Sequence, residues 1–517
     1  MENSEPTANK TPTSEISALG GGIQNRTFLG HPIGLFVLFF AEMWERFSYY
    51  GMRALLVLYL MQHFLFGKEQ AYIIYGAYTS LVYITPAIGG WLGDNFLGQR
   101  KAVLFGAIML TFGHILMALE GDGGQDAFYL NFFYLALSFI IVGSGFLKAN
   151  ISSIVGSLYD RDDKRKDPAF TIFYMGINLG AALGAIIAGY LGETIGWRYG
   201  FGAAGLGMVL GLIVFVLGKP LLMGRGESPF PDRLKQVRVG ITTEWLIYIG
   251  AVFAVVIVWQ LIQYQSVVGW LLGACGLALA SYVLYTSATT LQSQDRDRIF
   301  VAMFLMGASI LFWALFEQAG SSLNVFTDQR VDRNMFGFNI PASTFQSINA
   351  IYIVLLAPVF AFLWTFLAAR KLEPSTPAKF GLAMIQLGAG FLVLVAGALA
   401  AGQGLTPVIF IFAIYLLHTT GELCLSPVGL SAMTKLALPH MVGLIMGTWF
   451  FASALGNFAA GLIASATGGG EELGVESVTQ VYTTVGWTAV IVGVAIVIVS
   501  PYFKKLMHLD SLHQANT

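Results

Sequence analysis

Charged residues are scarce in this chain of 517 residues. Only 11% of its residues are Asp, Glu, Lys or Arg, whereas 56% are hydrophobic and the mean hydropathy is +0.69. Because a soluble globular protein carries about 25% charged residues, the composition predicts a protein with many membrane spans. The net charge is −1, without a large excess of basic residues, so we expect no nucleic-acid partner.

Cysteine and histidine are also rare. Cys275 and Cys424 both lie in apolar segments, which argues against a disulfide framework or a thiolate zinc site. His63, His114 and His418 lie within or beside apolar segments, but none has a metal-ligand spacing to an acid. We therefore expect no metal and no cofactor other than a coupling proton. The first thirty residues lack the apolar core of a cleaved signal, so the first helix itself is expected to direct insertion.

Apolar segments of about 20 residues, the length that spans a bilayer, recur fourteen times. Their approximate bounds are 33–65, 71–96, 102–120, 128–155, 168–192, 197–218, 244–264, 267–292, 298–321, 344–369, 379–401, 406–434, 441–467 and 481–503. Of the 28 Lys and Arg residues, 21 fall on the side of the N-terminus, four fall in the opposite loops and three lie within spans. This asymmetry predicts that both termini are cytoplasmic.

The spans divide into six, two and six. The two central spans contain no Lys or Arg, and a basic linker precedes them. We predict an all-α membrane protein whose two six-helix bundles resemble the plan of the major facilitator superfamily, with an inserted hairpin at the periphery. The predicted domains are a polar tail at 1–29, a bundle at 30–218, a linker at 219–243, the hairpin at 244–292, a second bundle at 293–503 and a tail at 504–517.

The loop between the second and third spans contains Gly90-Trp-Leu-Gly-Asp94-Asn-Phe-Leu-Gly98-Gln-Arg100. It resembles the cytoplasmic loop signature of that superfamily, in which an Asp and an Arg hold neighbouring helices together in the outward-facing state. We therefore expect a structural role for Asp94 and Arg100. The alternative is an ordinary tight loop whose basic residues only set the orientation.

One face of the first span is strongly polar. At 3.6 residues per turn, its charged and tyrosine residues lie on one side of a helix. They are Glu42, Glu45, Arg46, Tyr49, Tyr50 and Arg53. Each charge inside a membrane costs roughly 2.5–3.5 kcal/mol. This face is therefore expected to contact partner side chains, water or a ligand.

Only three other spans carry a charged residue in their interior. These residues are Lys148, Glu317 and Glu422. Cations thus come from the first bundle, and the acids without a local partner come from the second. Such a cavity suits a zwitterion with separated ends: Arg53 and Lys148 would bind a carboxylate, and Glu422 would bind an ammonium. The alternative is structural pairing, in which these groups only neutralise one another, as Lys148 could with Glu42 and Glu45.

Proton coupling can use the same groups. A low-dielectric environment favours the protonated form of a carboxylate, so Glu42, Glu45 and Glu317 are candidates for proton uptake. Protonation of a glutamate would release its basic partner for a substrate carboxylate. Aromatic side chains near the charges predict an adaptable cavity wall, although such residues can also form interfacial belts. They are Tyr49, Tyr50, Tyr83, Trp313, Trp449 and Phe450.

These motifs resemble those of the proton-dependent oligopeptide transporter (POT or PTR) family. Glu42-x-x-Glu45-Arg46 is similar to its E-x-x-E-R signature, and Phe173-Tyr-x-x-Ile-Asn178-x-Gly180 is similar to its F-Y-x-x-I-N-x-G signature. Further matches, in family order, are Gly145-Phe-Leu-Lys148-x-Asn150, Phe345-Gln-Ser-Ile-Asn349, Gly421-Glu422-x-x-x-Ser426-Pro427 and Gly447-x-Trp449-Phe450.

The resemblance implies proton-driven symport of di- and tripeptides across a bacterial inner membrane, with small peptides and the lipid bilayer as partners. It implies neither enzymatic activity nor an obligatory protein partner. The coupling cluster would be Glu42, Glu45 and Arg46, with Glu317 pairing with Arg53 across the bundles. The implied carboxylate-end contacts are Arg53, Lys148, Tyr49, Tyr50 and Tyr83; the contacts to the peptide backbone and amino end are Asn178, Asn349, Glu422 and Ser426; the side-chain pocket walls are Trp313, Trp449 and Phe450.

The chain departs from the family in two places. Some relatives have an acid just before the Glu317 position, where this chain has Phe316, and animal members have a protonatable His in the second span, where this chain offers Tyr78 and Tyr83. The carboxylates would then carry the proton. Two alternatives are a family member that carries nitrate or another small solute, for which Glu422 is unsuited, and a non-transporting receptor on a transporter scaffold.

Overall fold

The computed structural model describes residues 27–119, 121–160, 163–438, 441–467 and 475–508, and these form mainly helices. The tails predicted at 1–29 and 504–517 lie mostly outside the described residues. The helices are α1 (Ile33–Gln62), α2 (Lys68–Leu92), α3 (Gln99–Met117), α4 (Ala127–Ser157), α5 (Lys166–Thr194), α6 (Trp197–Leu217), α7 (Pro231–Lys235), α8 (Thr243–Gln263), α9 (Gln265–Thr290), α10 (Ser293–Phe316), α11 (Ser322–Arg330), α12 (Ser347–Ala369), α13 (Thr376–Ala401), α14 (Ile409–Leu436), α15 (Val442–Thr467) and α16 (Val475–Leu506). The predicted all-helical membrane architecture is confirmed.

Thirteen helical segments of the described chain are long and apolar enough to cross a membrane. Helix α1 is not among them, although its 30 residues exceed the required length. Every stretch of 18 residues in α1 contains at least three of its four charges, Glu42, Glu45, Arg46 and Arg53. Helix α1, which carries the polar face, is therefore too highly charged to be recognised as a span by its apolar composition. With α1 included, the number of spans agrees with the fourteen predicted.

Short strands interrupt the loops. β1 (Thr27–Phe28) pairs antiparallel with β2 (His31–Pro32), and β3 (Val237–Arg238) pairs in the same way with β4 (Ile241–Thr242). β5 (Val331–Asp332) runs parallel to β8 (Thr406–Pro407), and β6 (Asn334–Met335) pairs antiparallel with β7 (Phe338–Asn339). Each antiparallel pair is closed by an apolar residue and a glycine, both with positive φ, which is the geometry of a type I′ turn.

The helices form two bundles with separate hydrophobic cores. The core of the first bundle, α1–α6, extends onto α8 and α9, and that of the second bundle is built from α10 and α12–α16. Helices α1 and α5 approach closely at Gly180 and Gly184, where a Cβ on either glycine would collide with the backbone of α1. The inserted pair touches both bundles, because α8 packs on α4 whereas Gly269 and Gly276 of α9 face side chains of α15.

The bundles meet at the end of the molecule where α1 ends and α2 begins, hereafter the closed end. Gly76 of α2 and Gly461 of α15 lie so close that a Cβ on Gly76 would come within 2.9 Å of the Gly461 Cα atom. Asn324 and Gln346 of the second bundle both donate to the backbone oxygen of Ala54 in α1, at 3.0 and 3.3 Å.

At the opposite end, the described residues form no hydrogen bond or ion pair between the bundles. That end is the one that the basic residues predict to be cytoplasmic.

Candidate functional site

The polar face of α1 holds a compact charge cluster. Arg46 Nε lies 2.6 Å from Glu42 Oε1 and 3.2 Å from Glu45 Oε2, so that two carboxylates share one guanidinium. Glu42 and Glu45 are 1% and 0% exposed, and Glu42 Oε2 and Glu45 Oε1 have no hydrogen-bond partner among the described residues. A buried acid without a partner is costly, so this cluster is chemically suited to hold an additional proton.

Lys148 of α4 faces the same region. Its Nζ atom lies 4.0 Å from the ring centroid of Tyr49 and 5.4 Å from that of Tyr83, in cation–π geometry. Within the described parts of the chain, no carboxylate oxygen lies within 4 Å of this ammonium. The structural alternative, a direct ion pair of Lys148 with Glu42 or Glu45, is therefore not seen. Aromatic faces hold this cation and leave it available to an anion.

Arg53 is held differently. Its Nη2 atom pairs with Glu317 Oε2 of the second bundle, and its Nε donates a hydrogen bond of 2.6 Å to the hydroxyl of Tyr75. Both Arg53 and Glu317 are buried. Glu317 lies where α10 ends and a short 3₁₀ turn, Glu317–Gly320, begins. The pairing across the bundles that the family resemblance implied is thus present, and in this conformation it occupies Arg53.

Tyr75 is the main residue of the site that the sequence analysis missed. It shares one face of α2 with Tyr72 and Tyr78, at three-residue spacing, and all three are buried. That tyrosine stripe is a signal that could have identified it. Its hydroxyl also lies against Gly320, at a point where a Cβ would collide with it. Tyr75 therefore joins the arginine of one bundle to the turn that carries the glutamate of the other.

Glu422 of α14 forms the polar centre of the second bundle. Asn349 Nδ2 donates to Glu422 Oε2 at 2.9 Å and to Thr419 Oγ1 at 3.0 Å. No cation lies within 4 Å of this carboxylate in the described chain. Ser426 follows one turn later and is half-buried. Thr419, three residues before Glu422 on the same helix, belongs to this group although the sequence analysis did not select it.

The remaining predicted contacts are less closely grouped. Asn178 is buried and donates to the backbone oxygen of Tyr174, at 3.0 Å within its own helix. Trp313 is half-buried and stacks edge-on against Phe312 and Phe316, each at 5.4 Å.

Trp449 is 5% exposed and packs in the core of the second bundle, whereas its neighbour Phe450 is 48% exposed. The roles assigned to Asn178 and to these aromatic residues remain predictions.

The charged loop between α2 and α3 is attached to the linker. Asp94 accepts a hydrogen bond of 2.8 Å from Gln99, whereas Arg100 binds both carboxylate oxygens of Glu227, at 2.6 and 3.0 Å. The Arg100 backbone N–H also donates to Gly226 O at 2.8 Å. The Arg100 guanidinium holds the pKa of Glu227 below its usual range. In this conformation Arg100 therefore fastens the loop to the linker and does not pair with Asp94.

Comparison with known proteins identifies the family of this chain. The profile of the POT family, PTR2, matches residues 100–481, well over half of the chain. The chain belongs to the POT family. Since POT family members are transporters, it is a transporter and not an enzyme. The Glu42–Arg46 motif precedes the matched range, so its placement rests on the geometry described above.

Individual POT family proteins align over most of the chain. The peptide transporter YePEPT of Yersinia enterocolitica subsp. palearctica is 39% identical over 466 residues, covering 85% of this chain and 88% of the relative. Dipeptide and tripeptide permease B of Photorhabdus luminescens is 32% identical and covers 93% of this chain and 98% of its own length. A solved structure of a mutant peptide transporter POT in complex with alafosfalin has a TM-score of 0.82 at 34% identity, covering 95% of this chain and 98% of that one.

Proposed function

We propose that this POT family member performs proton-coupled symport of di- and tripeptides by alternating access. The main support is a pair of opposite charges without ion-pair partners among the described residues: Lys148 in the first bundle and Glu422 in the second. A peptide carries a carboxylate and an ammonium at its two ends, so it can satisfy both charges at once. The names of the two relatives, a peptide transporter and a di- and tripeptide permease, support the same substrate class.

The contact between Arg53 and Glu317 suggests how a proton could be coupled to the substrate. Protonation of Glu317 would neutralise the partner of Arg53 and free the guanidinium for the peptide carboxylate. It would also weaken a contact that holds the closed end together. Proton uptake, peptide binding and opening would then share one pair of residues, and the cluster of Glu42, Glu45 and Arg46 offers a second proton site nearby.

We place the transporter in a bacterial inner membrane with both termini in the cytoplasm, on the basis of its basic loops. The alternative substrate is nitrate or another small solute without an amino group. The carboxylate of Glu422 disfavours an anion, because its own half of the site supplies no cation within 4 Å among the described residues. An uptake assay with both substrates separates the alternatives.

The test is uptake of labelled dialanine by liposomes that contain the protein, with and without an acid-outside, inside-negative gradient. We expect accumulation that depends on the gradient, loss of accumulation in Lys148→Ala, and normal accumulation in Lys371→Ala, which removes an exposed loop lysine. Glu422→Gln should weaken binding of dialanine more than binding of N-acetylated dialanine. Gradient-independent equilibration would refute proton coupling, equal losses for both peptides would refute the ammonium contact, and transport of nitrate alone would favour the alternative.

A further inference from the structure

A small hairpin precedes the lipid-facing helix α8. We propose that this segment, residues 231–245 and here called the α8 foot, is a docking surface for the anionic surface of a lipid bilayer. It comprises α7, β3, β4 and the first turn of α8. This proposal is independent of the substrate, because it concerns the inserted hairpin and not the site between the bundles.

The turn of the α8 foot is unusual for a hairpin in water. Val239 and Gly240 occupy its two central positions, with φ values of +54° and +84°. Asn, Asp and Gly are the usual residues there, and a β-branched side chain in the left-handed region is an outlier. The Val239 side chain is also 97% exposed. Leu29 and Phe336 occupy the same position in two other hairpins, so the turn alone does not indicate lipid, but a side chain as exposed as Val239 can enter an apolar phase without moving any neighbour.

Apolar and basic side chains alternate around this turn. Val237, Ile241 and Trp245 are exposed together with Val239. Between and before them stand three exposed cations, Arg233, Lys235 and Arg238. No ion pair among the described residues involves these three, in contrast to Lys101, whose Nζ atom lies 2.6 Å from Glu244 Oε1. Exposed cations beside exposed apolar groups are the combination that binds an anionic membrane interface.

The position of the α8 foot fits the same occupant. Helix α8 begins directly after β4 and exposes large apolar residues such as Ile249 and Phe253 along its length. Trp245 lies in the first turn of this lipid-facing helix, and a tryptophan there places that end of the helix at the depth of the head groups. The valine would then reach the base of the head-group layer while the cations remain among the phosphates. Hydrocarbon contact and charge complementarity thus point to one surface.

The chain supplies a matched comparison. The hairpin of β1 and β2 has the same turn, Leu29–Gly30, directly before α1. Helix α1, however, packs against α5 and α6, and Arg165 Nη1 donates to Gly30 O at 3.0 Å. This second hairpin therefore lies beneath a bundle and not beside lipid. A probe at Leu29 reports the same turn in a different environment.

The test uses nitroxide labels on Val239→Cys or Leu29→Cys, each in a Cys275→Ala/Cys424→Ala background, in nanodiscs with or without phosphatidylglycerol. Collision rates with oxygen and with a water-soluble nickel complex report depth. We expect the label at 239 to be shielded from nickel and exposed to oxygen in anionic nanodiscs, and the label at 29 to remain aqueous. Combined Arg233→Gln, Lys235→Gln and Arg238→Gln should weaken docking on the order of a hundredfold, at about 1 kcal/mol per basic residue.

Each other outcome overturns the proposal. Equal aqueous exposure at both positions would show that the α8 foot does not dock on the bilayer. The label at 239 could also be shielded equally with and without phosphatidylglycerol, and equally in the variant that carries the three Gln substitutions. That result would show that the cations do not recognise the anionic lipid. Spin–spin broadening between labels at 239 would identify a second copy of the chain as the occupant. A single symmetric peak in size-exclusion chromatography of each labelled protein confirms that it is folded.

Discussion

Glu317→Gln offers the sharpest test of how the two bundles are held together. The substitution keeps the shape of the side chain and one acceptor oxygen but removes the negative charge that faces Arg53. Breaking a buried ion pair outright costs about 3–5 kcal/mol. Here Arg53 keeps its hydrogen bond to Tyr75 and lies over the Tyr50 ring at 5.6 Å, so we expect a smaller loss.

We set that loss at about 1.5–3 kcal/mol, the usual contribution of a hydrogen bond to a charged group. This cost applies only to the state in which the closed end is closed, because the pair joins two bundles that separate when that end opens. At 1.4 kcal/mol per tenfold change, the ratio of closed to open molecules should fall about 10- to 150-fold. The closed end should therefore open much more often.

Spin labels at Gln70 and Phe338, exposed positions on the first and second bundles at the closed end, can measure this change. In the Cys275→Ala/Cys424→Ala background, double electron–electron resonance should show a longer-distance population that grows in Glu317→Gln. Glu69→Gln is the comparison: it removes an exposed carboxylate charge in the first turn of α2, also at the closed end, and no ion pair among the described residues involves Glu69. An unchanged distribution in Glu317→Gln, or an equal shift in both variants, would refute the reasoning.

Two further predictions follow from neighbouring contacts. Tyr75→Phe removes a hydroxyl that accepts from Arg53 within the first bundle and lies against Gly320 of the second. It should shift the equilibrium from the closed towards the open state by at most about 1 kcal/mol, and its effect should be non-additive with that of Glu317→Gln because both groups hold one guanidinium. Since Arg100 lowers the pKa of Glu227, their ion pair should protect the linker at neutral pH and lose that effect only as the pH falls through the lowered value. The protection factors for amide hydrogen exchange of residues 219–235, which correct for the pH dependence of the intrinsic exchange rate, should therefore stay constant between pH 8 and 5. They should be lower in Glu227→Gln throughout this range. A fall in protection near pH 6 in the unmodified protein would contradict this reasoning.

The sequence was sufficient to predict the architecture because the membrane imposes a simple rule on it. Spans must be apolar over about 20 residues, and any charge inside them needs a partner. Periodicity alone therefore placed Glu42, Glu45 and Arg46 on one face of α1, and the structure shows them in contact. The same reasoning identified Lys148 and Glu422 as charges without a basic or acidic partner on their own helices.

Contacts between distant segments could not be read in this way. Tyr75 shares no motif with Arg53, and its value to the site depends on the distance between α1 and α2 in the folded protein. Arg100 belongs to a recognisable loop, but its partner Glu227 lies 127 residues further on, in a linker without a motif. The partner of Arg100 depends on the conformation of the molecule. Because the same sequence adopts every conformation, the sequence alone does not indicate which partner Arg100 has in this one.

The two buried groups of acids differ in how their geometry depends on the relative position of the two bundles. Glu42, Glu45 and Arg46 all lie on α1, so their mutual distances stay the same when one bundle moves against the other. A proton bound there changes the local charge but is not by itself favoured in either conformation. Arg53 and Glu317 belong to different bundles, and their distance changes with every opening of the closed end. A ligand shifts a conformational equilibrium only by its difference in affinity for the two states. The coupling proton of the proposed symport must therefore act on the pair of Arg53 and Glu317, either directly or through a cation that can reach both this pair and the cluster on α1.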